Sequence, residues 1–501
     1  MVSRFWGDRA ERTLGGLRAF FAAESSSRRA PEAQAAQAEA QLLALFRSAA
    51  DEVPAYRRFL AEHAIDPSTV TDLASFAGLP ATTKDNYYRQ HPLPDLCRHG
   101  QLDRCDMVAL SSGSTGEPAV WPRSITDELE TSARFEQVLD AFSARERPTL
   151  AVICFALGNW VGGMYTLACC RHLAAKGYPL TVVAPGNQPG EILRALRALS
   201  PHFEQRVLFG YPPFLRDVLE LGKSQGVDFS SPPTRLVMAG EVFSEEWRDW
   251  VCRLTGASDP ACSTASLYGT ADGGVLANET PLSIRIRRAL SRRPAVARAV
   301  FGEARLPTLC QYDPRHRYFE VEEGGWLLFS GDGGAPLLRY KILDRGGVVT
   351  HAEMLRLLAE HQIELEPDEA GMQPELPFVY VFGRSHFAVS FYGANVYPEN
   401  ISVGLEQAEL APSLTGKFVV EVRYDSAQAS ELALSVELAR EANPTPALVE
   451  QIQRLVRQQL ELQNSEFASY VPDARRTPQV ELRPFGDPDY FPTGVKHRYT
   501  R

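Results

Sequence analysis

Apolar positions in this chain come in two textures. In the middle they form short continuous runs: Leu150 to Ala156, Leu180 to Ala184, Arg206 to Phe209, Leu236 to Ala239, and Ala265 to Leu267. Each run ends in a turn-forming loop, respectively around Gly158, at Pro185-Gly186-Asn187, at Gly210-Tyr211-Pro212-Pro213, at Gly240-Glu241 and at Tyr268-Gly269. Between them lie stretches with helical spacing, such as Gly190 to Leu199 and Ser244 to Leu254. Strands that are apolar on both faces and alternate with helices predict a parallel sheet in an α/β domain. In such sheets ligands gather beyond the carboxyl ends of the strands, where these loops lie.

At the ends of the chain the pattern changes. Residues 1–50 read as a helical lead-in: Pro31 to Ala49 is Ala-rich with Leu42, Leu43, Leu45 and Phe46 on a stripe, and Ser25-Ser26-Ser27 separates it from the first segment. Val53-Pro54-Ala55-Tyr56 opens a second short helix, and Thr82-Thr83-Lys84-Asp85 reads as a helix N-terminus. A helix is expected from about Ser124 to Ser143. Phe319 to Phe329 predicts a hairpin turning at Glu323-Gly324-Gly325. Glu364 to Pro377, acidic and proline-rich, is a connector. From Phe382 the reading is α+β: a strand pair, a helix from Pro398, strands at Phe418 to Arg423 and Leu432 to Leu438, a helix from Pro446 to Gln463 and a last strand near Val480 to Arg483. The expected division is a large domain over 1–382, which includes the lead-in, and a small one over 383–501.

Composition narrows the class. At 501 residues the chain is too long for one ordinary domain, and 44% apolar with 23% charged content is that of a globular enzyme. A net charge of −10 argues against nucleic acid as a partner. Arg285, Arg287, Arg288, Arg292, Arg293 and Arg298, set among Ile284, Ile286, Leu290 and Val296, read as the solvated face of a surface helix. No apolar run reaches membrane-spanning length, and residues 1–21 lack a signal-peptide core, so a cytoplasmic protein with no membrane partner is expected. The eight cysteines include no C-x-x-C pair and read as buried reduced thiols.

The candidate chemistry starts at Ser111-Ser112-Gly113-Ser114-Thr115-Gly116-Glu117-Pro118. Glycines that admit positive φ, hydroxyl donors and successive backbone N–H groups suit a polyphosphate. The spacing is not that of a Walker A loop. This loop resembles the S-S-G-(S/T)-T-G-x-P phosphate loop of the adenylate-forming superfamily of acyl-CoA synthetases and adenylation domains. Tyr268-Gly269-Thr270-Ala271-Asp272 is similar to that superfamily's Y-G-x-(S/T)-E. The segment Pro336 to Asp344 is close to P-L-I-R-Y-R-T-G-D. Gly383-Arg384-Ser385-His386 and Gly393-Ala394-Asn395-Val396-Tyr397-Pro398 resemble its hinge and the segment after it. Thr493-Gly494-Val495-Lys496 looks like the C-terminal loop with a single catalytic lysine. Val53 to Tyr56, Leu79 to Lys84 and Ala239-Gly240-Glu241 further resemble the phenylacetate-CoA ligase branch. The resemblance runs from roughly residue 50 to the end, with five motifs in order.

What it implies is the fold of that superfamily and ATP-dependent activation of a carboxylic acid to an acyl-adenylate, with release of pyrophosphate. Transfer to CoA would follow. Ser111, Ser112, Gly113, Ser114, Thr115 and Gly116 would hold phosphates, and Asp272 would hold Mg²⁺. Asp344 would accept from the ribose hydroxyls, Arg384 would add charge-assisted contacts, and Tyr268 would offer a face to adenine. Gly240, Glu241 and Gly269 would lie along the nucleotide. Lys496 would bring the carboxylate and the α-phosphate together, so catalysis is positioning and electrostatics. His386 would be the hinge of a domain rotation that presents Gly393 and Asn395 to the acceptor. Phe155, Trp160, Tyr211, Phe214 and Val242 are candidate acid-pocket walls, and aromatic walls suit an aryl or compact acid.

The sequence departs from the motifs at Glu117, in place of a lysine, and at Ala271, in place of a hydroxyl residue that Thr270 would replace as a catalytic contact. Asp272 is a methylene shorter than glutamate, and His386 stands for aspartate. An amide or N-acyl ligase, an adenylation enzyme serving an amine or a carrier-protein thiol, and a non-catalytic nucleotide-binding relative remain open beside the CoA ligase. The expected state is monomer or homodimer.

Overall fold

The structure, a computed structural model, describes residues 2–23, 31–110, 119–158, 161–303, 305–365, 375–383, 389–392, 394–424, 430–464, 467–468, 471–492 and 497–500. An eleven-stranded sheet organises the large domain. One half is parallel, in the order Leu180–Val183, Thr149–Ile153, Gln205–Gly210, Thr234–Ala239, Thr264–Thr270. These are the five apolar runs of the sequence. Their side chains alternate between two buried faces: Ala151, Ile153, Val207, Phe209 and Val237 pack on one, Leu150, Val152, Leu208, Leu236 and Met238 on the other. Helices cover both. Glu245–Thr255, for example, starts where the Ser244 hydroxyl accepts from the Trp247 N–H (3.1 Å) and stops at Gly256, whose φ is +67°.

The other half is antiparallel: Gly274–Asn278, Thr308–Gln311, Phe378–Gly383, Leu337–Val349, Trp326–Gly331 and Arg317–Glu322, continuing outward from Thr264–Thr270. The expected hairpin is present, with Glu322 opposite Trp326 and positive φ at Gly324 and Gly325. Lead-in helix Pro31–Glu52 and helix Pro54–Glu62 pack Phe46, Tyr56 and Phe59 against this half, in one core with Trp121 and Tyr340. Helix Val2–Ala22 lies along Ile125–Ala141, and Phe20 reaches the core under the parallel half.

Beyond Gly383 the chain builds a separate core from Phe391, Ile401, Phe418, Leu434, Val456 and Phe467. Its sheet joins Leu414–Tyr424 antiparallel to Ser430–Leu438, and Ser430–Leu438 parallel to Gln479–Arg483. Helices Pro398–Leu405 and Pro446–Gln463 cover it.

Two sequence expectations are corrected. Thr82 to Asp85 starts no α-helix. Thr82 pairs with the long strand (its N–H to Arg339 O, 3.0 Å; its carbonyl from Lys341 N, 2.8 Å), and Asn86 Oδ1 accepts from the Thr83 N–H to close a turn. A helix cap and such a turn use the same residue types. The arginines of Pro281–Ser291 are also not a solvated face. Arg285 and Arg287 are buried, and Arg287 donates to Glu245, Phe243 O and Pro307 O. Charge spacing gives no warning of carboxylates and carbonyls arriving from distant segments. Arg292, Arg293 and Arg298 do stand in solvent.

All eight cysteines are free thiols, six of them buried. Among the described residues no helix is long and apolar enough to cross a membrane.

Candidate active site

The carboxyl end of Thr264–Thr270 meets the long strand Leu337–Val349 where two carboxylates are held by two tyrosines. Tyr268 donates its hydroxyl to Asp344 Oδ2 at 2.8 Å. Tyr340 donates to Asp272 Oδ2 at 2.7 Å. Both aspartates are buried, at 5% and 6% exposure for Asp272 and Asp344. Buried carboxylates need such partners, since leaving one unsatisfied costs a large desolvation penalty. Leu343 has a φ of +66°. This left-handed residue turns its own side chain out, 46% exposed, while its neighbour Asp344 is buried.

Asp272 has a second partner that the sequence did not single out. Lys84 Nζ lies 3.2 Å from its Oδ1 and 5.5 Å from the Trp121 ring centroid. The pairing of Thr82 with the long strand brings Lys84 to the same carboxylate as Tyr340. In the sequence Lys84 stands only in the expected helix start and the Leu79 to Lys84 stretch, and Tyr340 only inside the Pro336 to Asp344 motif. Arg123 is a third unforeseen residue: its guanidinium donates to the carbonyls of Ala271 (2.6 Å) and Asp272 (2.8 Å). Arg123 ends the hairpin Met107–Leu110 with Val120–Arg123, in which Leu110 stands opposite Val120. The Ser111 to Pro118 loop joins those strands. Ser111, Ser112, Gly113, Ser114, Thr115 and Gly116 themselves lie outside the described residues.

The remaining expected residues sort as follows. Thr270 Oγ1 accepts from Gly273 N–H at 3.0 Å, which orients its hydroxyl. A Cβ on Gly269 would stand 2.8 Å from Gly274 O, so the close pairing there requires glycine. Gly240 has φ +81°, and a Cβ on it would meet the Tyr211 ring at 2.8 Å. Glu241 accepts from the Tyr499 hydroxyl at 2.8 Å. Phe155 and Tyr211 stand together edge to face, centroids 4.9 Å apart, beside Gly162. Burial and the Glu241 charge push the Tyr211 phenol up to about 12.

Two candidate walls stand elsewhere. Phe214 packs on the opposite face of the sheet, with Leu150 and Leu215. Val242 lines a cavity of about 60 Å³ between the domains, with Phe243, Ser244, Arg305, Glu399 and Ser402. Position in the chain near a strand end did not reveal which face each side chain takes. Trp160, Arg384, His386, Gly393 and Lys496 lie outside the described residues, as does the Asn395 side chain; the Asn395 backbone pairs with Ser390.

Asp272 is an oxygen donor of the kind Mg²⁺ takes. Both its oxygens are engaged, by Lys84 and Tyr340. Among the described residues no group of three or more His, Cys, Asp or Glu side chains forms a ready-made metal site. The donor chemistry of Asp272 fits a cation carried in by a nucleotide's phosphates, with Lys84 yielding one oxygen.

A large sheet domain beside a small α+β domain is also the fold of a solved CoA ligase. The crystal structure of a 2-hydroxyisobutyryl-CoA ligase in its postadenylation state matches 95% of this chain and 90% of its own, at a TM-score of 0.68 and 15% identity. The same ligase in its thioesterification state, with CoA, gives 0.54 at 16% identity. A phenylacetate-coenzyme A ligase of Aromatoleum evansii is 23% identical over 236 residues, 46% of this chain and 50% of that protein. The match thus spans about half the length of that curated relative. No family model matches the chain.

Proposed function

We propose that this protein activates an aryl or other compact carboxylic acid with ATP and passes the acyl group to coenzyme A. The observation that carries this reading is the pair of buried carboxylates, Asp272 and Asp344, each fixed by a tyrosine beside the hairpin of the Ser/Gly loop. The phenylacetate-coenzyme A ligase likeness supports CoA as acceptor.

In the first step a carboxylate oxygen attacks the α-phosphorus, the bond to the bridging oxygen breaks, and pyrophosphate leaves. The loop from Ser111 to Gly116 holds the β- and γ-phosphates. Asp344, aligned by Tyr268, takes the ribose hydroxyls. Asp272 would hold Mg²⁺, which would supply charge neutralisation at the phosphates. Lys84, released from one oxygen of Asp272, adds a cation beside the phosphates. Thr270, oriented by Gly273, donates toward the α-phosphate in place of Ala271. Lys496 and Arg384 complete the charge on the reacting groups, and Gly240 leaves room for the base against the backbone. All of this is orientation and electrostatics. Phe155 and Tyr211, with Trp160, wall the acid.

In the second step the thiol sulfur of CoA attacks the acyl carbon, the carbon–oxygen bond to AMP breaks, and the thiol proton is lost. The small domain, 383–501, turns about His386 so that the segment with Gly393 and Asn395 faces the acceptor. Both co-substrates are metabolites of the cytoplasm, where we place the protein as a monomer or homodimer.

The test is pyrophosphate release from ATP and Mg²⁺ over a panel of aryl, heteroaryl and short aliphatic acids, for wild type and Lys496→Ala, with and without CoA. The expected result is release that depends on one class of acid and on Lys496, with thioester formed only when CoA is present. Release without thioester, and product only with an added amine, would move the reading to an amide ligase. No release with any acid would overturn it.

A further inference from the structure

The small domain reaches the nucleotide side of the large domain through a residue that no motif marks. Tyr499 donates its hydroxyl to Glu241 Oε2 at 2.8 Å, across 258 positions of chain. Glu241 follows Gly240 directly, at the end of Thr234–Ala239, where the left-handed glycine lies on the Tyr211 ring. Tyr499 is firmly held on its own domain. Its carbonyl accepts from Val420 N–H (2.8 Å), Thr500 makes an isolated parallel bridge to Val420, and its ring packs on Phe418 at 5.0 Å. His497, two residues earlier, places its ring edge-on to Tyr499 at 4.5 Å and its Nε2 2.7 Å from Phe418 O. The phenol is thus presented to Glu241 by a tail that has its own attachments. Burial and the charges of Glu241, Glu406 and Glu399 hold that phenol in its neutral, donating form.

We infer that Tyr499 is a positioning residue for the adenylation step. Acting through Glu241, it fixes the loop on which the base would lie and ties the C-terminal tail to that loop in one arrangement of the two domains. The hydrogen bond must break when the small domain turns, so it serves the first step and not the second. This rests on the reading of the protein as an adenylate-forming ligase. A hydroxyl that merely satisfied a half-buried carboxylate would affect stability and both steps alike.

The experiment separates the two half-reactions: pyrophosphate release from ATP and acid, and acyl-CoA formation from pre-formed acyl-adenylate and CoA. Tyr499→Phe removes one hydroxyl and keeps the ring packing. A lost hydrogen bond to a charged group is expected to lower adenylation kcat/KM by roughly tenfold to a hundredfold, leaving the second half-reaction within about twofold. In a Glu241→Ala background the same substitution has no further effect, because the two residues act as a unit. Thermal unfolding of both variants checks that they are folded. Equal loss in both half-reactions, no loss in adenylation, or additive effects with Glu241→Ala would overturn the inference while leaving the ligase reading intact. A wild-type protein that makes no adenylate overturns that reading first, and this inference with it.

Discussion

The paired-carboxylate site of the large domain, which we propose as the nucleotide site, and the contact between the two domains are both polar and both partly buried, yet they are built differently. Around Asp272 and Asp344 the partners come from one domain: Lys84 and Tyr340 on Asp272, Tyr268 on Asp344, Arg123 on the carbonyls of Ala271 and Asp272. Between the domains the partners come from opposite sides. Arg216 donates to Ala411 O and Leu414 O, Lys417 meets Asp217 at 2.6 Å, and Ser244 N–H meets Glu406 at 3.1 Å. The first set makes no use of the small domain, and the second depends on how the two domains sit. Under the domain rotation proposed above, the preorganised site is wired within one domain, whereas the contact that breaks is assembled from groups that water can satisfy when they part.

The strongest way to break this comparison is Asp272→Ala. It removes the carboxylate and leaves Lys84 and the Tyr340 hydroxyl without their acceptor. Adenylation is expected to fall about 10²- to 10³-fold, the scale of losing a positioned electrostatic group. Stability should drop by about 1–3 kcal/mol. Acyl-CoA formation from pre-formed acyl-adenylate should change by only a few fold. Equal loss in both half-reactions would show that the nucleotide face is not the self-contained unit described.

Gly240→Ala comes next. Its Cβ would stand 2.8 Å from the Tyr211 ring at a backbone φ of +81°. The ring or the loop must shift, and the left-handed conformation adds about 1 kcal/mol of strain. The expected outcome is a roughly tenfold or greater rise in the KM for ATP, with a smaller fall in kcat. An unchanged KM would place the base elsewhere.

How much of this could be read from the sequence follows the same division. The five parallel strands were legible because strands buried on both faces leave continuous apolar runs, as at Leu150 and Leu236. Tyr268, Asp272 and Asp344 were legible as motif positions. Their pairing, Tyr268 with Asp344 and Tyr340 with Asp272, was not, because it depends on the register between strands far apart in the chain. Lys84 was misread with its neighbours as a helix start, since Thr82 and Thr83 suit a cap and a turn equally. Arg285 and Arg287 were taken for a solvated face because composition cannot show that Glu245 and Asp259 come to meet them. Nothing local marks Tyr499 or Glu406, whose partners lie in the other domain.

The interdomain contact should answer to pH. Burial pushes Glu406 up to about 7, with Glu246 adding to the rise and the Ser244 N–H opposing it. A carboxyl raised above its free value of about 4.3 favours the docked state when protonated. That contribution is complete below the free value and is lost as pH rises through about 7. Glu406 is only half-buried by its exposed surface, so solvent screening leaves an effect of about 1 kcal/mol. Docking, followed by energy transfer between labels on the two domains, should weaken from about pH 4 to pH 7 by roughly fivefold in its equilibrium constant and level off above that. Glu406→Gln should flatten that profile and leave the adenylation pH profile otherwise alone. A docking equilibrium independent of pH in wild type would remove Glu406 from the contact.

The smallest expected effect sets the floor for both regions. Phe214 lies near the same strand end as Tyr211 but packs on the far face of the sheet, in the core with Leu150, Leu215 and Trp247. Phe214→Leu trims that core and should cost about 1 kcal/mol of stability. It touches neither the paired carboxylates nor the interdomain partners, so acid preference, both half-reactions and the pH profile should stay as in wild type. Tyr211→Leu, one turn of chain away and on the other face, should shift the ranking of acids across the same panel. If Phe214→Leu changes the ranking as much as Tyr211→Leu does, the acid does not sit against Phe155 and Tyr211, and the two faces of the sheet are not functionally distinct at this end.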